Sequence, residues 1–208
     1  MLRRALRPVG VVAAALALIA VAGCGGDDDG DAAAETDGAF VVEMTAHHEA
    51  AIEMAEMAQE NADHAEIRGL ADEIAAAQSE EIDGMAEMHE RMFGESMGEA
   101  DHGTLGMSGH EMGMDMEITE LENARPFDRA FIDAMVAHHQ GAIRMARVEL
   151  EQGSDQEVQD LAEAIIAAQS REIEQMNAWH ERWYGSAAPA GGVPGGDMSM
   201  PAHDEMGH

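Results

Sequence analysis

The sequence predicts an all-α fold: a four-helix bundle made of two repeated antiparallel helical hairpins. Three observations predict it. Residues 40–94 align with residues 131–185 at a constant offset of 91 without a gap, and 25 of the 55 paired positions are identical; a match of that extent marks an internal duplication. Within each copy, apolar residues recur at three- and four-residue steps, the period of an amphipathic helix. Each copy is divided by a turn signal near its middle, so it reads as a hairpin whose apolar stripe finds no cover within itself. Two such hairpins cover each other.

From the N-terminus, Arg3, Arg4 and Arg7 precede an apolar run from Val9 to Ala22, too short for a typical spanning helix and shaped like a secretory signal. The run ends Val21-Ala22-Gly23-Cys24, which resembles a bacterial lipobox. Residues 1–23 are therefore expected to be a lipoprotein signal peptide, with Cys24, the only cysteine, as the lipidation site. The resemblance implies more than one acyl chain, enough for stable anchoring. A lone cysteine at this spot leaves the rest of the chain without a disulfide or a thiolate metal site. Residues 24–38, rich in Gly, Asp and Ala, read as a flexible acidic tether.

The first hairpin, residues 39–94, opens with M-x-x-H-H-x-x-A-I-x-M-A and closes with A-A-Q-S-x-E-I-x-x-M-x-x-x-H-E-R. The second, residues 126–185, repeats both. Asp63-x-x-Glu66 and Ser154-x-x-Glu157 fit the capping box that starts a helix. Asn61 and Gly153 suit the ends of the first helices, Gly94 and Gly185 the ends of the second, and Pro126 a first helical position. Four helices of roughly 20–30 residues follow, about 30–45 Å long.

Between the hairpins lies a linker, residues 95–125, long enough to cross the bundle. It carries Met97, His102, Met107, His110, Met112, Met114 and Met116 among Gly, Asp and Ser. The tail, residues 186–208, is rich in Gly and Pro, and ends with Met198, Met200, His203, Met206 and His208. Neither segment shows a helical period or enough aliphatic residues for a core, so both are expected to be disordered. Met as core filler does not explain methionines placed there. Met-x-Met and Met-x-x-His spacings in a flexible acidic chain can wrap a soft cation.

The net charge of −31, with no lysine, repels nucleic acid and attracts cations. Laid on a helix, Met44, His47, His48, Ala51, Met54 and Ala55 fall within one arc of about 120°. Met135, His138, His139, Ala142, Met145 and Ala146 do the same in the second copy. On the following helix Leu70, Ile74, Ala77, Glu81, Met85 and Met88 share a face bordered by Gln78; Glu172, Met176 and Gln169 are the counterparts. A carboxylate in such a stripe is costly unless paired or bound. Two explanations stand: a hydrogen-bonded His–Glu pair that is purely structural, or a metal centre. Thioether with imidazole suits copper, Met for Cu(I) and His for Cu(II), with zinc a second candidate for a His/Glu set. A di-iron site needs a Glu-x-x-His motif that neither His-His helix has. Binding through His is expected to weaken below about pH 6.5 as the imidazoles protonate.

The duplicated M-x-x-H-H-x-x-A-I-x-M-A with Q-S-x-E-I-x-x-M resembles domain-of-unknown-function family 305 over residues 38–185. The resemblance implies a ferritin-like four-helix bundle and, from some exported members, copper binding through Met44, His47, His48, Met54 and Met85, and through Met135, His138, His139, Met145 and Met176. Glu81, Glu172 and the linker's Met107, His110, Met112, Met114 and Met116 complete the candidate metal ligands. The leading functional expectation is a membrane-anchored, extracytoplasmic copper scavenger or chaperone without turnover. Its partners would be the metal ion and, through the lipid anchor, the membrane; no protein partner is indicated. A redox metalloenzyme in the bundle core and a metal-free scaffold are the alternatives. No nucleophile constellation or cofactor fingerprint favours the enzyme.

Overall fold

The computed structural model of the chain describes residues 28–94, 96–98, 105–114 and 118–195. Five helices and no strand occur among them: α1 (Asp28–Asn61), α2 (Ala65–Phe93), α3 (Ile118–Asn123), α4 (Phe127–Gln152) and α5 (Gln156–Tyr184). The predicted four long helices are α1, α2, α4 and α5. Helix α1 packs along α2 and α4 along α5, and the two hairpins meet mainly through α1 and α4. Cys24 and the signal segment, His102, Met116 and the Met/His residues after 195 lie outside the described residues.

Three expectations about the connecting segments need correction. Residues 28–38, expected as tether, extend α1. Ala32–Ala34 and Glu35 are good helix formers. The linker is not wholly irregular: α3 lies against α1 and α4, with Leu121 fully buried, and Met107 and Met112 are buried in the core. The start of the tail is docked too. Ala188 is buried, Gln140 donates to the carbonyls of Ala190 and Gly192, and Asn177 donates to that of Gly191.

The hairpin turns are closed across the bundle. Asp128, in the first turn of α4, accepts from the backbone N–H of Asp63 at 2.9 Å and of His64 at 2.8 Å, and also pairs with the His64 ring. Asp37, on α1, accepts from Ser154 N–H at 2.8 Å, Ser154 Oγ–H at 3.1 Å and Asp155 N–H at 3.2 Å. These pairs are 91 residues apart on both sides, so the duplication begins at Asp37 and Asp128 rather than at the phenylalanines. Each hairpin caps the other's turn. The predicted capping boxes shift accordingly: the residue before α2 is His64, with no side-chain cap, and the residue before α5 is Asp155, which caps Glu157 and Val158. The N–H groups of Asp63 and Ser154 go to the opposite hairpin instead. Gly94 and Gly185 end α2 and α5 in the left-handed region, at φ 72° and 86°, as predicted. The outer helices follow the same symmetry, with exposed pairs Arg91–Glu157 and Arg182–Glu66.

The core has two parts. One is aliphatic and aromatic, with Ile67, Leu70, Ile74, Leu121, Phe127, Phe131, Ile143 and Ile173 around Met54, Met135 and Met176. The other is thioether-rich. Met44, Met85, Met88, Met107, Met112 and Met145 are buried there, with Met92, Met97 and Met114 packed against them.

Glu149 is a fully buried departure from the repeat, its counterpart being Ala58. Burial pushes its carboxyl from the ordinary value near 4.5 up to about 8, helped by the neighbouring Asp37. The folded state therefore resists its ionisation, and stability falls as pH rises from about 4.5 through 8. Replacing Asp128 by Ala leaves two turn N–H groups unpaired and should lower stability by about 1–2 kcal/mol, within the range for lost caps, read from urea unfolding. Asp37→Ala should cost less, and its deficit should shrink as pH rises toward 8 and level off above it, because it also removes the repulsion that resists Glu149 ionisation.

Candidate metal centre

The histidines predicted to face inward do so, at the contact of α1 with α4. Small residues on both helices, Ala51, Ala55, Ala142 and Ala146, are fully buried and let the backbones approach. The His47 and His138 rings meet across the pseudo-two-fold axis with centroids 3.7 Å apart and planes 31° apart. His48 and His139 flank them. Each donates Nε2–H to a carboxylate on its own hairpin partner, His48 to Glu81 and His139 to Glu172, both at 2.6 Å.

The two glutamates are half-buried, at 27% and 22% exposure, whereas Gln78 and Gln169 are buried. This reverses the predicted face of α2, on which Glu81 pointed in and Gln78 sat at the border. The carboxylates keep one side toward water and reach in to the imidazoles. Each amide takes the dry position and has a buried oxygen without a hydrogen-bond partner.

The protonation state follows from packing. Burial lowers His47 from 6.5 to about 3, and the neighbouring His48 adds to the shift. His138 is lowered well below 6.5, again first by burial and then by the imidazoles of His47, His139 and His48. Two cations could not lie ring on ring in a dry interface. The expectation that protons displace metal from these residues near pH 6.5 is therefore corrected for this pair, which stays neutral far below that pH.

Neutral imidazoles carry one lone pair each. His47 donates Nε2–H to the carbonyl of Met112 at 2.9 Å, so its lone pair is on Nδ1. The hydrogen bonds of His48 and His139 likewise use Nε2 and leave Nδ1 as the nitrogen turned into the interface. The Nδ1 atoms of His47, His48, His138 and His139 are all buried without a partner. A bare, desolvated imidazole nitrogen fits a borderline or soft cation. Among the described residues no three His, Cys, Asp or Glu side chains converge on one point, so a metal held here would need thioether or further imidazole donors.

The candidate thioethers divide between the two cores. Met44, Met85, Met107, Met112 and Met145 gather in the thioether-rich part, with Met114 packed against it. Met54, Met135 and Met176 lie in the aliphatic part. His110 is exposed on the linker turn. That turn is seated on α4 and α1: Arg144 of α4 donates to the carbonyl of Glu111 at 2.6 Å, and Leu105 N–H donates to Glu43 of α1 at 3.0 Å. A Cβ on Gly141 would stand 1.7 Å from the Met112 carbonyl oxygen, and one on Gly113 would stand 2.1 Å from that of Ala137. Sequence reasoning missed Gly141, whose counterpart Ala50 marks the place where the copies differ. Gly141→Ala should expel the linker turn while leaving α4 helical. The check is hydrogen exchange at residues 112–114, whose amides bond within the turn. Protection there should fall by about tenfold or more, about 1.4 kcal/mol; unchanged protection would contradict the seating.

The model of the family described as domain of unknown function DUF305 matches residues 37–180 and 150–208. Among solved structures, CopM in its Cu(I)-bound form is 36% identical, covering 72% of this chain and 98% of that one with a TM-score of 0.62. CopM in the Cu(II)-bound form gives 35%, 71%, 97% and 0.62. A DUF305 protein of Streptomyces coelicolor, assigned as secreted, is 25% identical over 76% of this chain and 98% of that one, with a TM-score of 0.66. No curated protein matches.

Proposed function

Starting from a chain that belongs to the DUF305 family, we propose that it is an extracytoplasmic copper-binding protein, held to a membrane through lipidated Cys24, that scavenges or chaperones copper. The observation that carries this reading is the set of four buried Nδ1 atoms without partners, beside a core rich in thioethers. Neutral imidazole and thioether are together a copper donor set: thioether prefers Cu(I) and imidazole serves both oxidation states. The likeness to CopM, solved with Cu(I), Cu(II) and silver, supports it independently.

In this reading His47, His48, His138 and His139 hold copper, with Met44, Met54, Met85, Met135, Met145 and Met176 as thioether donors. Glu81 and Glu172 orient the outer imidazoles. Met107, His110, Met112, Met114 and Met116 bring donors on the linker. The acidic surface raises the local concentration of cations. Zinc is the weaker candidate because thioethers favour a softer ion.

The test is competitive titration of the full chain with Cu(I), Cu(II) and Zn(II), followed by metal analysis. Copper should bind tighter than micromolar, about −8 kcal/mol, and in preference to zinc. The fourfold variant His47→Gln, His48→Gln, His138→Gln and His139→Gln should lose Cu(II) binding by at least about a hundredfold, near 2.7 kcal/mol, while keeping its helical content. Copper no tighter than micromolar, or equal Cu(II) affinity in the variant, would overturn the reading.

A further inference from the structure

The two copies differ in how the first helix of each hairpin meets the second beside the His-His pair. Thr45, on α1 two residues before the His-His pair, is buried. Its hydroxyl oxygen lies 2.8 Å from the carbonyl of Val41, 3.6 Å from Sδ of Met85 and 3.6 Å from Sδ of Met97. A hydroxyl has one hydrogen. The short contact to the carbonyl four residues earlier takes it, as threonines inside helices commonly do. Both thioethers then face an oxygen lone pair with no hydrogen between them. Two neutral sulfurs and one neutral oxygen thus share a small, largely dry space.

The second copy supplies an internal comparison. At the same offset of 91, Thr45 becomes Val136, Met85 becomes Met176 and Met97 becomes Ala188. Those three are buried in one apolar cluster. Packing alone is therefore satisfied at this position by a valine and an alanine around one methionine. The first copy replaces the valine by a hydroxyl and the alanine by a second thioether. Neither change improves burial: a hydroxyl in a dry site is costlier than a methyl, and Met97 remains partly exposed.

We infer that Met85 and Met97, gathered on the Thr45 hydroxyl oxygen, form a distinct site for a soft monovalent cation, Cu(I) or Ag(I). The site joins the bundle to the linker, since Met85 is on α2 and Met97 follows it in the connection. All its donors are uncharged and carry no exchangeable proton on the sulfurs. It therefore takes Cu(I) in preference to Cu(II), and does so equally at pH 5 and pH 7. The inference rests on the copper reading above and places Met85, one of its thioether donors, in a second site with Met97, apart from the imidazoles.

The experiment titrates the full chain and two variants, Met97→Leu and Thr45→Val, with Cu(I) and Ag(I) against a chelator. Both variants keep side-chain volume, and Thr45→Val installs the second copy's own residue. Met97→Leu should bind one equivalent of Cu(I) fewer, or bind it at least tenfold more weakly. Sulfur coordination per copper should fall in X-ray absorption, with Cu(II) binding and the melting temperature unchanged. Thr45→Val should weaken the same equivalent less. Unaltered Cu(I) and Ag(I) stoichiometry and affinity in Met97→Leu would overturn this site while leaving the imidazole centre standing. A wild-type chain that binds no copper would overturn both.

Discussion

Four imidazoles are buried where α1 crosses α4, and packing there depends on the inner two, His47 and His138, carrying no charge. His47 and His138 lie ring against ring; a proton on both would place like charges a few ångströms apart without water, a cost of several kcal/mol per ion. Burial removes that possibility by driving both below the pH range in which histidine ordinarily titrates. The outer pair is treated differently. His48 and His139 are tied to half-exposed glutamates, so the carboxylate charge stays near solvent and its hydrogen bond reaches inward. The small residues around the crossing and the linker turn that supplies the Met112 carbonyl serve the same need: they exclude water while giving His47 one partner.

Duplication explains how so polar a centre is held in register. Asp37 and Asp128 each bind the turn of the other hairpin, so the hairpins are locked at both ends and cannot slide along the α1–α4 contact without stripping buried N–H groups of their acceptors. The copies also differ where the connecting segments dock. The linker turn covers the α1–α4 contact with Met112 and Gly113, against Gly141. The start of the tail covers the second hairpin with Ala188 and a run of carbonyls bound by Gln140, Asn177 and Arg147. The symmetric part builds the centre, and the asymmetric part sets which donors surround it.

The long helices, their caps at Gly94 and Gly185, and the inward register of the His-His pairs were legible because each depends on local period and turn chemistry. What was not legible depends on contacts between distant segments. Asp37 and Asp128 read as ordinary acidic residues until the hairpins are docked. Gln78 and Glu81 are three positions apart on the edge of one stripe, and only the neighbouring helix decides which goes inside. Met107 and Met112 have no periodicity, so a reading based on period left them outside the core. Nothing in the spacing of His47 and His138 says that they meet each other rather than a carboxylate. That meeting fixes their protonation state.

The central claim is that His47 and His138 present neutral, unpartnered nitrogens for copper. The most direct measurement is ¹⁵N NMR of the imidazoles of the full chain, from pH 7 to pH 4, without metal and with Cu(I). The account predicts that both residues stay neutral throughout without metal, keeping their lone pairs in the fold down to about pH 3 for His47. It also predicts that their Nδ1 resonances move with Cu(I) at both ends of that range. Titration of either residue near pH 6.5, or resonances indifferent to copper, would contradict it.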